Sequence, residues 1–296
     1  RNNLSPQTPK IKIVEVGPRD GLQSVSKIIS TEDKIRFINL LSEANLPEIE
    51  VTSFVSPKWI PQLVDAKEVS AKITQNESSQ YTALVPNLFG LQSAIDAQYQ
   101  SVAVFTTVSE SFSQKNTNCS VDESLQKIKN MRHIFEQKSL RVRGYISTVW
   151  HCPYESKMDV TLLFPIIEKL LSLGIQEISL GETIGKASES EVERYLIEIL
   201  KRFDVSHFAL HFHDTYGYAK NNIKKAIEMG FTTFDASAGG IGGCPYAPGA
   251  SGNIATESIL DLCESLKLET GVHREKLELA AQFIQSILKK DIVNHG

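Results

Sequence analysis

Short apolar runs alternate along the chain with longer segments in which hydrophobic side chains recur every three or four residues. The short runs have the length and β-branched content of buried strands, and the longer segments have the periodicity of amphipathic helices. The eight predicted strands are, in chain order, 11–17, 48–55, 81–87, 101–108, 141–148, 177–183, 208–214 and 232–238. The helical segments include 31–45, 61–76, 157–173 and 218–229, followed by 253–268 and 273–289.

The alternation of strands and helices predicts the architecture. Strands separated by helices pair in parallel, and eight such units predict a closed (β/α)8 barrel, that is, a TIM barrel. A doubly wound open sheet is the structural alternative. We expect an N-terminal arm at residues 1–9 and a single barrel domain at 10–296, closed by the last two helices.

The first predicted helix illustrates how its boundaries are encoded. Ser30 or Thr31 can cap its N-terminus, and acidic residues follow in the first turn. Apolar residues at helical spacing then form a stripe that is expected to face the barrel. The stripe consists of Ile35, Ile38, Leu41 and Ala44.

The composition argues against several classes of partner. The chain has 296 residues, 41% of them hydrophobic, and a formal net charge of -4 without a long basic or acidic run. We therefore expect no nucleic-acid partner. Its apolar runs are far shorter than the ~20 residues that span a bilayer, so no membrane partner is expected either. The four cysteines, Cys119, Cys152, Cys244 and Cys263, are far apart, which favours free thiols over a disulfide framework.

Polar and ionisable residues gather where the predicted strands end. In a (β/α)8 barrel the active site lies at the C-terminal ends of the strands, so these side chains are expected to share one rim. They are Glu15, Arg19, Asp20 and Gln23 at the first strand, Glu50 at the second, Glu182 and Thr183 at the sixth, and His211 and His213 at the seventh.

The segment HFHDTYG places two histidines on one face of a strand. Positions i and i+2 of a strand point to the same side, so His211 and His213 are expected to face one place. A hydrogen-bonded core or rim histidine is the alternative for each, but the pair favours metal ligation. Imidazoles combined with oxygen ligands suit Mg²⁺ or Mn²⁺ better than a closed zinc site. Asp20 and Asn253 are the natural further ligands. Asp214 points the other way along the strand and is expected to cap a helix or to hydrogen-bond to a metal ligand rather than to the metal.

The charged residues at the predicted rim allow two interpretations. Arg19 either forms an ion pair with Glu15 or Glu50, or holds its guanidinium where an oxyanion develops. Glu15, Glu50 and Glu182 are either catalytic or neutralise the basic groups nearby. The sequence leaves both questions open.

A glycine-rich segment follows the last predicted strand. Residues 239–252 contain six of the 17 glycines, but no Gly-Lys-Ser/Thr follows, so it is not a P-loop. The glycines predict a mobile flap whose backbone can approach a ligand. Cys244 within it is either a small apolar filler or, if exposed over a metal site, an acid, base or nucleophile. For Cys152, in HCPYE, a structural turn is the favoured interpretation.

Together these motifs resemble those of the 3-hydroxy-3-methylglutaryl-CoA lyase family. The resemblance covers roughly residues 10–290. The Arg-Asp pair and the H-x-H pair are shared with a wider superfamily of metal-dependent lyases and acyl-condensing TIM barrels, whereas the cysteine-containing segment is more specific to the lyase. The matching motifs are VEVGPRDGLQ, IEVTSFVSPKWIPQ, NLFG, NTNCS, RGYIS, HFHDTYG and GGCPYAPGASGN.

The resemblance implies a Mg²⁺- or Mn²⁺-dependent enzyme that cleaves 3-hydroxy-3-methylglutaryl-CoA to acetyl-CoA and acetoacetate, as in leucine degradation and ketone-body formation. The residues it implies are the metal ligands Asp20, His211, His213 and Asn253, the catalytic residues Arg19, Glu50, Glu182, His211 and Cys244, and the substrate-binding residues Arg19, Gln23 and Thr183. The chain has LGETIG where the family commonly has LGDTIG. Glu182 thus replaces an aspartate, and its extra methylene is expected to affect the rate.

Two other functions remain open. A condensing acyltransferase, which joins acetyl-CoA to a 2-oxo acid, usually has extra C-terminal segments, and the cysteine-containing segment argues against it. A catalytically silent metal-binding barrel is disfavoured by the intact arginine, cysteine and ligand set.

The resemblance also implies partners and a location. We expect a homodimer that binds an acyl-CoA, in the bacterial cytoplasm, or in the mitochondrial matrix if a transit peptide has been removed. Lys27, Lys58, Lys115 and Arg143 are predicted near loop ends and are candidates to hold CoA, although an ordinary surface position is the default for each.

Overall fold

The computed structural model describes residues 8–243, 246 and 251–290. Its strands are β1 (Lys12–Glu15), β2 (Glu48–Ser53), β3 (Gln80–Leu84), β4 (Ser101–Thr107), β5 (Arg141–Ser147), β6 (His151–Cys152), β7 (Ser156–Lys157), β8 (Glu177–Glu182), β9 (Phe208–Phe212) and β10 (Thr233–Ala236). Eight of them close into a parallel barrel in the order β1-β10-β9-β8-β5-β4-β3-β2, and β6 pairs with β7 in a separate hairpin. The predicted (β/α)8 barrel is confirmed, and the doubly wound open sheet is wrong.

Helices follow the strands and surround the barrel. They are α1 (Thr31–Glu43), α2 (Ala66–Lys72), α3 (Leu88–Asp96), α4 (Glu110–Thr117), α5 (Val121–Gln137), α6 (Leu163–Ser172), α7 (Glu189–Leu200), α8 (Ala219–Glu228), α9 (Thr256–Ser265) and α10 (Arg274–Lys289). Among the described residues, no helix has both the length and the apolar character needed to cross a membrane. The predicted N-terminal arm at residues 1–9 lies mostly outside the described residues, and the domain boundary at residue 10 stays a prediction.

Two predicted helices are shorter than their periodicity suggested. The segment 61–76 divides into a 3-10 turn at Pro61–Leu63 and α2, which begins only at Ala66. The segment 157–173 divides in the same way, into a 3-10 turn at Val160–Leu162 and α6. Apolar spacing alone does not separate a 3-10 turn from the α-helix that continues it, because both place residues three apart on one side.

The main hydrophobic core lies between the barrel wall and the helices, and α1 shows how a helix joins it. Ser30 caps the helix by accepting a hydrogen bond from the backbone N–H of Asp33, at 3.1 Å. The buried face differs from the predicted stripe, because Ile35 is only half-buried whereas Lys34 is buried. Lys34 is accommodated because its Nζ donates to Asp65 Oδ1 at 2.7 Å.

The barrel interior is filled largely by ionic side chains. Arg141 donates to Glu48 and to Glu177, each at 2.9 Å, and Arg143 donates to Glu177 at 2.6 Å. We call this connected set the interior network. Its members are Lys12, Glu48, Arg141, Arg143, Glu177 and Asp235. A small apolar cluster of Leu84, Ala103 and Tyr145 also packs together.

A tight turn follows β1 and fixes the first part of the rim. Residues Gly17–Gly21 form one turn of π-helix. A side chain at Gly21 would place its Cβ 2.8 Å from Ile241 and 2.9 Å from Ser237, so the close approach of these segments requires glycine. Glu15 holds the base of this turn, since it accepts hydrogen bonds from the backbone N–H groups of Gly17 and Ala238, both at 2.9 Å.

Candidate active site

Three predicted metal ligands converge at the C-terminal rim of the barrel. Asp20 lies in the turn after β1, His211 in β9 and His213 directly after it. Each offers a ligand atom, and these atoms all lie within 4.8 Å of one another. The H-x-H spacing therefore brings both imidazoles to the same place, as the alternation of strand side chains predicted.

Asn253, the fourth predicted ligand, lies next to this cluster. Its Nδ2 donates to Asp20 Oδ2 at 2.9 Å, and its backbone forms an isolated antiparallel bridge with His213. A half-turn of the side-chain amide would direct its oxygen toward the same cluster.

The carboxylates around His211 favour positive charge at this imidazole. Burial acts to lower the pKa of His211, but its interactions with Asp20 and Asp235 outweigh this effect and raise it to about 10. Burial and the charge of His211 lower the pKa of His213 to about 4. Despite burial, the charge of Arg19 and the contact with His211 hold the pKa of Asp20 well below its ordinary value.

The donor set fits a divalent ion. Two imidazoles and a carboxylate converge, and Nδ1 of His213 is a buried atom without a hydrogen-bond partner among the described residues. A buried polar atom without a partner is unusual in a folded protein. A bound cation would satisfy this cluster, in which nitrogen and oxygen ligands suit Mg²⁺, Mn²⁺ and related ions.

Arg19 is held beside the cluster by two acids. Its Nε donates to Glu50 Oε1, and its Nη1 donates to Asp20 Oδ1 at 3.1 Å and to Gln23 Oε1 at 3.3 Å. The other oxygen of Glu50 accepts a hydrogen bond from the Tyr145 hydroxyl at 2.6 Å. The guanidinium carbon lies 5.3 Å from the centre of the Tyr145 ring. Of the two partners predicted for Arg19, the structure supplies Glu50 and not Glu15.

A cavity of about 960 Å³ opens at this rim. It is at the upper end of the ~300–1,000 Å³ typical of ligand pockets and therefore has room for a large substrate. The predicted site residues that line it are Arg19, Asp20, Gln23, Thr183, His211, His213 and Asn253. The structure thus brings most of the predicted site together.

Glu15 and Glu182 do not line the cavity. The carboxylate oxygens of Glu182 are buried, and the backbone N–H groups at 185–187 lie near them but outside hydrogen-bonding geometry. Burial raises the pKa of Glu182 to about 8, against the opposing effect of the backbone N–H groups at 185–187. Burial likewise raises the pKa of Glu15 to about 7.

The cavity and its supports include residues that the sequence prediction missed. Tyr145 lines the cavity, and Thr183 is fixed by the backbone N–H of Thr148, which donates to its hydroxyl at 2.8 Å. Asp235, in β10, accepts a hydrogen bond from Nδ1 of His211. Tyr145 could have been predicted from the period of two along β5, because Arg141, Arg143 and Tyr145 lie on the same face of that strand.

The predicted thiol Cys244 lies outside the described residues. Gly243 and Tyr246, on either side of it in the chain, line the cavity. Asp214 accepts a hydrogen bond from the backbone N–H of Ala219, the first residue of α8, although the N-cap position itself is Tyr218. Cys152 is buried in β6, after the fifth strand of the barrel.

The candidates for holding CoA have different surroundings. Arg143 is fully buried in the interior network, so its predicted position near a loop end is wrong. Lys27 donates to the backbone carbonyl of Ile287 at 3.0 Å, and Lys115 lies 4.0 Å from the ring centre of Tyr154.

A family model described as HMGL-like matches residues 10–284. The chain belongs to the HMGL-like family. It is 46% identical over 287 residues to hydroxymethylglutaryl-CoA lyase YngG of Bacillus subtilis, an alignment that covers 97% of this chain and 96% of the relative.

Solved structures of HMGL-like relatives share the whole fold. The crystal structure of the Bacillus subtilis HMG-CoA lyase superimposes with a TM-score of 0.93 at 47% identity, covering 95% of each chain. An HMG-CoA lyase from Acinetobacter baumannii, solved in complex with coenzyme A and 3-methylmalate, superimposes with a TM-score of 0.89 at 35% identity. This match covers 94% of this chain and 91% of that one.

Proposed function

We propose that the protein is a lyase that cleaves 3-hydroxy-3-methylglutaryl-CoA to acetyl-CoA and acetoacetate with Mg²⁺ or Mn²⁺. The observation that carries the proposal is the cluster of Asp20, His211 and His213 beside Arg19 at the mouth of the cavity. Relatives named as HMG-CoA lyases, which this chain matches over nearly its whole length, support the choice of substrate.

Four side chains would hold the cation. Asp20, His211 and His213 would supply three ligands, and the amide oxygen of Asn253 would supply a fourth. When bound, the cation would polarise the oxygens of the substrate and so lower the pKa of its tertiary alcohol.

The bond to be broken joins the tertiary alcohol carbon to the carbon next to the thioester. A basic group at the rim removes the alcohol proton. The carboxylates adjacent to the metal ligands are the candidates for this step, because the two ring nitrogens of His211 are occupied by the cluster and by Asp235. The electron pair released by cleavage forms a thioester enolate. The Arg19 guanidinium, held in place by Glu50, supplies fixed positive charge for this enolate.

The remaining predicted residues orient the substrate or complete the proton transfers. Gln23 and Thr183 line the cavity and would position the substrate's polar groups. Cys244 would protonate the carbanion that becomes acetyl-CoA. Glu182 lies behind the cavity wall, so we assign its contribution to the placement of its neighbour Thr183 rather than to contact with the substrate.

The wider assignments follow from the proposed reaction. The enzyme would act in leucine degradation and ketone-body formation, as a homodimer with an acyl-CoA as its partner. Location in a bacterial cytoplasm or a mitochondrial matrix stays a prediction.

Acetoacetate release by the purified protein tests the proposal. Protein incubated with 3-hydroxy-3-methylglutaryl-CoA should release acetoacetate with Mg²⁺ or Mn²⁺, and EDTA should abolish the release because it removes the cation. Absence of release from folded, metal-loaded protein would contradict the lyase function. Condensation of acetyl-CoA with 2-oxo acids would then be assayed.

A further inference from the structure

His211 contacts a second carboxylate on the side of its ring that faces away from Asp20. Its Nδ1 lies 2.8 Å from Asp235 Oδ2, while its Nε2 lies 3.5 Å from Asp20 Oδ2. Asp235 is 2% exposed and is not one of the clustered ligands. The two contacts fix both nitrogens of one imidazole, one toward the metal cluster and one toward the barrel interior.

The barrel register places Asp235 beside His211. β9 and β10 are neighbouring parallel strands, and Leu210 is paired with Phe234. The next residues of the two strands, His211 in β9 and Asp235 in β10, are therefore also neighbours, and both project into the barrel. The contact is thus built into the sheet rather than into a loop.

Two further groups hold Asp235 in place. Arg143 donates to both of its oxygens, through Nη1 at 3.1 Å and through Nη2. The Ser179 hydroxyl donates to Oδ2 at 2.7 Å. Arg143 is itself fixed by Glu177. A carboxylate gripped at both oxygens by a fully buried guanidinium stays ionised and cannot rotate freely.

We propose that Asp235 is a positioning residue for the metal site, which holds His211 with Nδ1 protonated and Nε2 free to bind the cation. The inference rests on the proposed metal-dependent function. A histidine ligand whose other nitrogen donates to a carboxylate has a fixed ring orientation and greater basicity toward the metal. Arg143 and Ser179 act on the metal through Asp235.

Mn²⁺ affinity tests the proposal without reference to turnover. In D235N the side chain keeps its size but loses its charge. The protein is titrated with Mn²⁺, and electron paramagnetic resonance measures the free Mn²⁺ at each step. We expect D235N to bind Mn²⁺ roughly 10- to 100-fold more weakly than the native protein. Unchanged affinity in folded D235N would overturn the proposal.

E177Q is the matched control. It removes a carboxylate from the same Arg143 but leaves the Asp235–His211 contact intact. Its Mn²⁺ affinity should equal that of the native protein, even if circular dichroism shows a lower melting temperature. An equal loss of affinity in E177Q would show that loosening of the interior network is the cause, and the proposal would be wrong.

A measurement on the native protein covers the case in which D235N fails to fold. The His211 ring nitrogens are assigned by ¹⁵N NMR as the signals missing from H211Q and are followed through a Mg²⁺ titration. We expect Nδ1 to stay protonated and the Nε2 signal to move. A proton on Nε2 in the Mg²⁺-saturated protein would overturn the proposal. Mn²⁺ binding without acetoacetate release would count against the lyase function alone.

Discussion

At the scale of single residues, the site depends on charges held in fixed positions. Arg19 lies between Glu50 and Asp20, and these acids raise the pKa of its guanidinium above its ordinary value despite burial. The arginine is therefore always positive, and it does not need to reorganise when negative charge develops on a substrate.

Replacement of Arg19 should affect the chemical step most. In R19Q the amide can still donate to Glu50, but the positive charge is lost. We expect kcat for acetoacetate release to fall about 100- to 1,000-fold, the usual cost of removing one group that stabilises an oxyanion. R132Q, which alters an exposed arginine on α5, is the control and should keep full activity. A change in KM alone would assign Arg19 to substrate binding.

Glu182 makes stability depend on pH. Burial raises its pKa from the ordinary 4.5 to about 8 in the folded protein. Between these values the folded state keeps a proton that the unfolded state has released. Its contribution to the free energy of unfolding is therefore fully present below pH 4.5 and is lost as the pH rises to about 8.

The variant E182Q should remove this dependence, because an amide does not ionise. The free energy of unfolding of E182Q minus that of the native protein should increase as the pH rises from about 5 to about 8. Urea unfolding across this range measures the difference. E136Q, at an exposed glutamate of α5, should leave the pH dependence unchanged. A constant difference for E182Q would mean that Glu182 is ionised in the folded state.

At the scale of elements, the turn after β1 connects the sequence to the site. It carries Arg19 and Asp20 as one π-helical turn, and Gly21 lets it approach Ile241 and Ser237 closely. The position of Asp20 therefore depends on the close packing of Gly21 against Ile241 and Ser237.

A single methyl group should displace this turn. In G21A the new Cβ would lie 2.8 Å from Ile241, so the turn must shift and move Asp20 relative to His211 and His213. We expect weaker Mn²⁺ binding and slower acetoacetate release. G144A is the control. Its Cβ would lie 3.2 Å from Ile175, away from the metal cluster, so G144A should keep native Mn²⁺ affinity. Native affinity in G21A would show that the turn can move without loss of the ligand.

The strands and the ligand cluster could be predicted because they depend on local pattern. Each strand of the barrel is a short apolar run, and the same-face placement of His211 and His213 follows from the period of two. The supports could not be predicted, since Asp235 meets His211 only when β9 and β10 pair. The position of Arg143 was predicted wrongly, because a charged side chain is expected at the surface when its buried partners are not known.

At the scale of the whole molecule, the centre of the barrel is held together mainly by ion pairs rather than by apolar side chains. The interior network runs from Lys12 to Asp235, and Asp235 contacts His211 of the metal cluster. Buried ion pairs add little stability over apolar packing, but loss of one partner leaves an uncompensated charge.

Removal of Arg143 should destabilise the entire barrel. In R143M the carboxylates of Asp235 and Glu177 lose a buried partner, and we expect the free energy of unfolding to fall by roughly 3–5 kcal/mol. Denaturant unfolding measures the change. R132Q, at an exposed pair, should alter it little. A similarly small effect in R143M would mean that other groups or water compensate for the missing guanidinium.

The interior network also restricts how this sequence can drift over evolutionary time. Arg143 contacts two acids on two different strands, Glu177 in β8 and Asp235 in β10, so a change at any one of these positions leaves a charge behind at another. Substitutions there should therefore be inherited in groups, with lineages passing from one charge-balanced combination to the next. Surface positions such as Arg132 are free of that restriction and should diverge one at a time.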